Sequence, residues 1–342
     1  MATTAIAILN YNGQAFLAKF LPTLIANSTN IPIYIGDNAS TDDSVDFLKT
    51  TYPDIKLIEL SENYGYSKGY NLLINHINEE YVALINSDIE VTPNWITPLI
   101  KVLDAEPNTA AVQPKIKSYQ NKSYFEYAGG AGGFIDTHGY PFCRGRIFDT
   151  LEKDIGQYDN NIGISWASGA CFLVRKSAFE QVGTFDDDFF AHMEEIDLCW
   201  RFKTHGFSIK YIYESTVYHV GGGTLAYESP FKTYLNFRNG LYLLIKNLPA
   251  FEAKKKVFIR VLLDWLSAFY FLLQGKGKQF MAVFKAHLKV LKTWENFKAK
   301  RLINAASVTE NYSVVWNYFI KGKKTFAKLK SQHQITINNI TF

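Results

Sequence analysis

Four groups of residues carry side chains suited to moving a proton, holding a cation or gripping an anion. The richest is His192-Met193-Glu194-Glu195-Ile196-Asp197. On a helix, Glu194, Asp197 and Arg201 share a face while Glu195 points elsewhere. Asp197 and Arg201 then make an ordinary intrahelical ion pair. Glu195 falls in the first turn, where the helix dipole favours an ionised carboxylate. Such a group suits a general base near neutral pH, although burial pushes its pKa the other way. Asp88 ends an apolar run within Asn86-Ser87-Asp88. A carboxylate there can ligate a hard divalent cation, magnesium or manganese, with phosphates as further ligands. Alternatively, it caps the turn before Pro93. His219 also ends an apolar run, ahead of Gly221-Gly222-Gly223. Its imidazole either completes a metal site with Asp88 or is structural. Last, Asn236-Phe237-Arg238-Asn239-Gly240 sets an arginine among amides, a grip for a diphosphate or a plain helix-surface charge.

The elements that would position these residues alternate. Short apolar runs predict strands at 4–9, 31–37, 55–60, 81–86 and 110–115, and periodic segments predict helices at 14–27, 42–52, 67–78 and 94–105. The pattern argues for βαβ units in an α/β fold, a mostly parallel sheet flanked by helices. Such sheets bind ligands beyond the carboxyl ends of their strands. The residues there are Asn10-Tyr11-Asn12-Gly13, the stretch from Asp37 to Asp43, the stretch from Ser61 to Asn71, and Asn86-Ser87-Asp88. Singly, each is turn or cap chemistry. Together they read as one polar ligand site. No GxGxxG follows the first strand and no GxxxxGK[ST] occurs, which argues against a dinucleotide-binding dehydrogenase and a P-loop enzyme.

Beyond Ser118 the chain reads as loop-rich to Asp149. A buried strand and helix follow near 170–182, then a strand at 209–212 leading to Tyr218-His219. From about Pro249 to Lys330 the pattern is helical, aromatic and basic, and the last eight residues suit a short edge strand. Through Ile245 there are 18 Lys and Arg against 28 Asp and Glu, a balance of −10; the remainder has 18 against 4, or +14. A basic tail rich in Phe, Trp and Leu favours an anionic membrane surface over nucleic acid. The run 257–273 contains Arg260 and Asp264 and falls short of the ~20 apolar residues that span a bilayer. The expected attachment is therefore peripheral and in-plane, on the inner face of a cytoplasmic membrane. Cys143, Cys171 and Cys199 are far apart and odd in number, which disfavours a zinc site or disulfide framework and fits a reducing compartment. The N-terminus lacks a basic n-region and reads as a first strand.

Taken together, "AILNYNG", "GDNASTDDS", "ENYGYSKGYN", "LINSDIEV", "SGACFLVRKSAFEQVGTFDDDFFAHMEEIDLCWR", "VYHVGGGT" and "NFRNG" resemble the family 2 glycosyltransferases, which have the GT-A fold. The nearest likeness is to the rhamnosyltransferase-like branch of bacterial surface-polysaccharide synthesis. The resemblance covers residues 4–247, which implies a GT-A domain at 1–247 and a basic helical extension at 248–342. It implies an inverting transfer from a nucleotide-diphosphate sugar, a UDP- or dTDP-sugar, to a glycan or lipid-linked acceptor. Asn10 and Asn12 would lie at the nucleotide, and Asp37 at its base or ribose. Asn63, Tyr64, Gly65, Lys68, Gly69 and Asn71 would shape the nucleotide pocket, with Asn86 and Ser87 in the place of the family's DXD motif and Arg238 at the diphosphate. Asp88 would carry the metal contact with His219. Trp166, Ser168 and Gly169 would border the acceptor. Glu195 stands where the family usually has aspartate, with Glu194 the alternative base. Two other readings stay open: a sugar nucleotidyltransferase and a non-catalytic binding subunit.

Overall fold

The structure, a computed structural model, describes residues 2–221 and 229–330. Gly222-Gly223 and the edge strand expected at the end of the chain lie outside the described residues.

Strands β1 (Thr4–Asn10), β2 (Ile33–Asp37), β3 (Lys56–Glu59) and β4 (Tyr81–Ile85) run parallel in the order β3-β2-β1-β4. Helices α1 (Gln14–Ala26), α2 (Ser44–Thr51) and α3 (Gly65–Ile74) make the crossovers. β2 and β4 are buried throughout, as parallel strands covered on both faces must be. After β5 (Ile89–Val91), α4 (Thr97–Ala105) and β6 (Thr109–Ser118), the stretch expected to be loop forms a second sheet. Its strands are β7 (Gly133–Ile135), β8 (Pro141–Cys143), β9 (Arg146–Ile147) and β10 (Thr150–Leu151), paired antiparallel. Runs of two or three residues are too short to show a period.

β11 (Ile162–Gly163), β12 (Cys171–Arg175), α5 (Lys176–Gln181), α6 (Glu194–Thr204) and β13 (Ser208–His219) complete the main sheet and its cover. β12 lies antiparallel between β4 and β6, and β13 runs parallel to β6. The sheet is thus mixed: its first half is parallel as expected, and β12 breaks the pattern. β13 is one long strand; its register against β6 shifts between Ile212 and Thr216 and carries His219 to the rim.

Helices α7 (Pro230–Asn247), α8 (Ala250–Leu273) and α9 (Gly277–Ala299) pack together against the body. The division expected at residue 247 falls between α7 and α8, yet a single apolar core runs across it, holding Val174, Trp200, Leu244, Val257 and Phe297 alike. Backbone bonds cross as well: Glu310 N–H donates to Ile135 O at 2.7 Å and Thr137 N–H to Tyr312 O at 3.0 Å. Asp197 is fully buried, bonded to Arg201 at 2.9 Å, Lys246 at 2.8 Å and Asn247 at 2.8 Å. Burial raises its carboxyl, but the two cations more than reverse this and hold it at about 2. Among the described residues no helix is long and apolar enough to cross a membrane.

Candidate active site

The carboxyl ends of β1 to β4 do meet at one rim. Asn10, buried at the end of β1, donates from Nδ2 to Asp37 Oδ1 at 3.0 Å and to Ser40 Oγ at 3.2 Å. Asp37 also accepts from the Ser40 amide at 2.8 Å and hydroxyl at 2.6 Å. Asn12, at φ 51°, accepts from the Thr41 amide at 2.7 Å. Asn38 donates to Asn63 Oδ1 at 3.0 Å, and that oxygen also takes the Gly65 amide at 2.9 Å. Three loops are therefore sewn together by side chains as well as by backbone bonds such as Asn38 N–H to Asn10 O at 2.8 Å, and the rim is preorganised. Asn10 Oδ1 is the one atom of this set left buried without a partner. Gly65 sits at φ 72°, and a Cβ there would lie 2.6 Å from the Phe190 carbonyl oxygen. That oxygen accepts from the Tyr66 amide at 2.7 Å, so glycine lets the start of α3 dock on the turn that precedes α6.

After β4, Asn86 N–H donates to Ala170 O at 2.9 Å. Asp88 is buried, with Oδ1 3.1 Å from His219 Nε2 and Oδ2 accepting the Gly221 amide at 3.2 Å. Glu126 Oε2 lies 3.3 Å from the other imidazole nitrogen, Nδ1. Burial disfavours a charged His219, but Glu126 and Asp88 outweigh it and raise the imidazole to about 10. Burial likewise raises Asp88, and the His219 charge brings it below its ordinary value. A divalent cation bound here would displace the proton from His219 Nε2; Asp88 and the neutral imidazole would then be its ligands, with Glu126 orienting the ring from behind. No cluster of three or more His, Cys, Asp or Glu among the described residues holds one unaided. Diphosphate oxygens would supply the rest.

The acidic helix start lies beside this turn, because Ala170 is followed back to Gly169, whose carbonyl takes the Tyr66 hydroxyl at 2.7 Å. A Cβ on Gly169 would stand 3.7 Å from Glu195 Cβ. Glu195 is partly exposed and Glu194 is buried. Each keeps one carboxylate oxygen without a partner. Burial raises the Glu195 carboxyl; amides of Glu195, Ile196, Met193 and Gly169 pull it back, leaving it at about 7. Burial and the neighbouring Glu195 charge push Glu194 well above its ordinary value. Burial raises both carboxyls; four amides draw Glu195 back and one draws Glu194 back, so the ionised form is better supported at Glu195.

Several expected site residues do other work. Trp166 is buried, its indole N–H on Phe134 O at 2.9 Å, and Ser168 is buried with its hydroxyl on Ala128 O. Core packing takes up both side chains, and of that trio Gly169 lies beside Glu195. Asn71 is fully used in holding the turn before α6, donating to Phe185 O at 2.9 Å and Asp187 Oδ1 at 2.8 Å and accepting from the Phe185 amide. Lys68 lies over the Tyr64 ring, 4.2 Å from its centre. Arg238 grips protein carbonyls: Nη2 donates to Phe189 O at 2.9 Å and Asp188 O at 3.2 Å. Beside it Asn239 Nδ2 donates to Phe189 O at 3.0 Å, Ala191 O at 2.9 Å and His192 O at 2.7 Å. These bonds hold a turn in which Phe190, His192 and Met193 all have φ between 65° and 72°. Non-glycine residues adopt that region only when over-determined. Asn239 thus holds the turn that leads into Glu195. Sequence reasoning missed it, as it missed Glu126 and Lys232, whose ammonium burial lowers while the Glu126 charge raises it.

Rim, cation-fitting turn and base define a glycosyltransferase of the GT-A fold. The chain belongs to glycosyl transferase family 2, whose model matches residues 5–183. It is 27% identical over 233 residues to the N-acetylglucosaminyl-diphospho-decaprenol L-rhamnosyltransferase of Mycobacterium tuberculosis, covering 63% of this chain and 75% of that protein. With the dTDP-rhamnosyl transferase RfbF of Shigella flexneri it shares 25% over 217 residues, 58% of this chain and 67% of the relative. Among solved structures, GalNAc-T7 with UDP, GalNAc and Mn2+ superposes with a TM-score of 0.58 at 13% identity. That match covers 98% of this chain and 58% of the GalNAc-T7 chain. The family match sets aside the nucleotidyltransferase reading.

Asp88→Ala is expected to abolish the metal-dependent part of any donor-induced rise in thermal midpoint. A rise equal to that of the parent protein would remove Asp88 from the metal site.

Proposed function

We propose that this protein transfers a sugar, with inversion, from a nucleotide-diphosphate sugar to a hydroxyl of a lipid-linked glycan in cell-surface polysaccharide synthesis. One observation carries the reading: Glu195, at the helix start beside Gly169 and the Asp88 turn, keeps a carboxylate oxygen without a partner. The names of the relatives support a rhamnosyl donor, with dTDP-rhamnose the first to test. The rim from Asn10 to Asn63 receives the nucleotide. Asp88 and His219 would hold magnesium or manganese. A bound cation supplies charge stabilisation to the leaving diphosphate. Glu195 takes the proton from the acceptor hydroxyl, whose oxygen attacks the anomeric carbon from the face opposite the diphosphate. The Met193 and Gly169 amides keep Glu195 oriented and partly ionised. Residues 1–247 carry the transfer site, α8 and α9 of the extension face the membrane over a core shared with it, and attachment is peripheral, on the inner face of the cytoplasmic membrane.

A thermal-shift series against UDP-, dTDP- and GDP-sugars, each with manganese or with EDTA, tests the donor site. A ligand that binds only the native state raises the midpoint by mass action. The expected result is a metal-dependent rise with one nucleotide class, dTDP first. No rise with any donor would contradict the reading.

A further inference from the structure

The α8–α9 hairpin encloses a cavity of about 220 Å³. Its lining is apolar apart from one imidazole: Val257, Val261 and Trp265 from α8, and Leu288, Leu291 and Trp294 from α9 are among its walls. Protein interiors are close-packed, and holes larger than a water molecule are few. A dry apolar cavity of about 150 Å³ already binds benzene, so this one has room for a longer apolar fragment. It is also open. Leu288 and Leu291 line it and are 41% and 71% exposed. Next to each cavity residue of α8 stands an exposed apolar one: Phe258, Leu262 and Leu266, 52–67% exposed. On α9 the residues one step beyond the cavity wall are cations instead. Lys285, Lys289 and Lys292 follow Phe284, Leu288 and Leu291 and are all exposed. Spaced by four and three, they form one row along the helix.

An apolar hole whose mouth is apolar on one side and cationic on the other complements an amphiphile with an anionic head. We infer that the α8–α9 cavity binds the isoprenoid chain of a prenyl phosphate, with its phosphate over Lys285, Lys289 and Lys292. The inference rests on the lipid-linked acceptor of the proposed function and assigns that lipid a seat on the protein itself. The cavity adjoins the catalytic body through Leu241 of α7, two residues beyond Asn239, which with Arg238 holds the turn before Glu195.

The test uses the full chain and farnesyl phosphate below its micelle concentration. Trp265 and Trp294 report occupancy by fluorescence. Saturable binding is expected, with farnesol weaker and inorganic phosphate inert. Changing the three lysines together to Gln should weaken farnesyl phosphate about tenfold or more and leave farnesol unaffected. V261F, and independently V257F, should fill the cavity and abolish the response while holding or raising the thermal midpoint. A straight-chain alkyl phosphate of equal length binding as tightly would overturn the isoprenoid assignment. Binding to anionic vesicles with no response to farnesyl phosphate would show a bilayer seat only and overturn the site, as would unchanged binding in folded V261F and V257F. The donor shift reads the enzyme separately: a protein that shifts with donor yet ignores farnesyl phosphate refutes this inference alone.

Discussion

Glu195→Gln is expected to lower kcat by about 10²–10⁴-fold, the usual contribution of a general base, while the donor still binds. The amide keeps the shape of the side chain and its place beside Gly169 but cannot take a proton. The pH dependence of the parent enzyme follows from the same group. Burial leaves its carboxyl at about 7, against an ordinary value of 4.5. The ionised form is the active one, so kcat should rise with pH through about 7 and level off above it. Stability should run the opposite way. Between 4.5 and about 7 the native state keeps a proton that the unfolded chain has released. This group's contribution therefore falls as pH rises through that window and stays low above it. The neutral amide escapes the penalty, so the variant should have a higher thermal midpoint than the parent at pH 8. Steady-state kinetics and melting curves across pH check both halves. Full activity in the variant would pass the role to Glu194; a lower midpoint at pH 8 would show that Glu195 is not held against its charge.

Asn239→Ala should produce the second largest loss, for a different reason. Its amide donates to three carbonyls of the turn before α6. Deleting it leaves the Ala191 and His192 carbonyls without that donor, while Phe189 O keeps Arg238, and it loosens three left-handed residues that nothing in their own side chains favours. A cost of about 1–3 kcal/mol in stability is expected for orphaned buried acceptors. Loss of kcat by roughly tenfold to a hundredfold follows from displacing the base by a fraction of an ångström to 1 Å. The signature of positioning is that the donor KM stays constant and the apparent pKa of the kcat profile moves. Asn239→Asp separates shape from bonding, since an ionised carboxylate accepts only and repels the same carbonyls. If either folded variant kept both the parent kcat and its pH profile, the turn would hold itself and Asn239 would be a packing residue.

The rim was legible because polar residues follow buried strands, and Asn10, Asp37 and Asn63 do meet there. The Asp197–Arg201 pair was legible from helical spacing. The rest was hidden for physical reasons. Glu126 reaches His219 from a segment with no motif, beside strands too short for periodicity. Phe190, His192 and Met193 take left-handed conformations without being glycine or asparagine, so no residue type signals the turn. An arginine among amides looks the same whether it grips a phosphate or its own chain, and only the fold shows that Arg238 faces carbonyls. Trp166 carries no mark that separates an acceptor wall from a core ring, and Gly133 against its face decided the matter: a Cβ there would meet the indole at 2.1 Å.

The turn before Glu195 also has a history in time. Asn71 and the Tyr66 amide precede it, but Asn239 is made 50 residues after Phe189, and Lys300, which pairs with Asp186 at 2.6 Å and Asp188 at 2.7 Å, comes more than 110 residues after them. A chain emerging from the ribosome folds from its N-terminus onward. The nucleotide rim can therefore form while the turn before Glu195 is only partly fastened, by Asn71 and the Tyr66 amide. Synthesis order thus separates readiness to hold a donor from readiness to spend it, and the enzyme becomes competent only when its last long helix has been delivered.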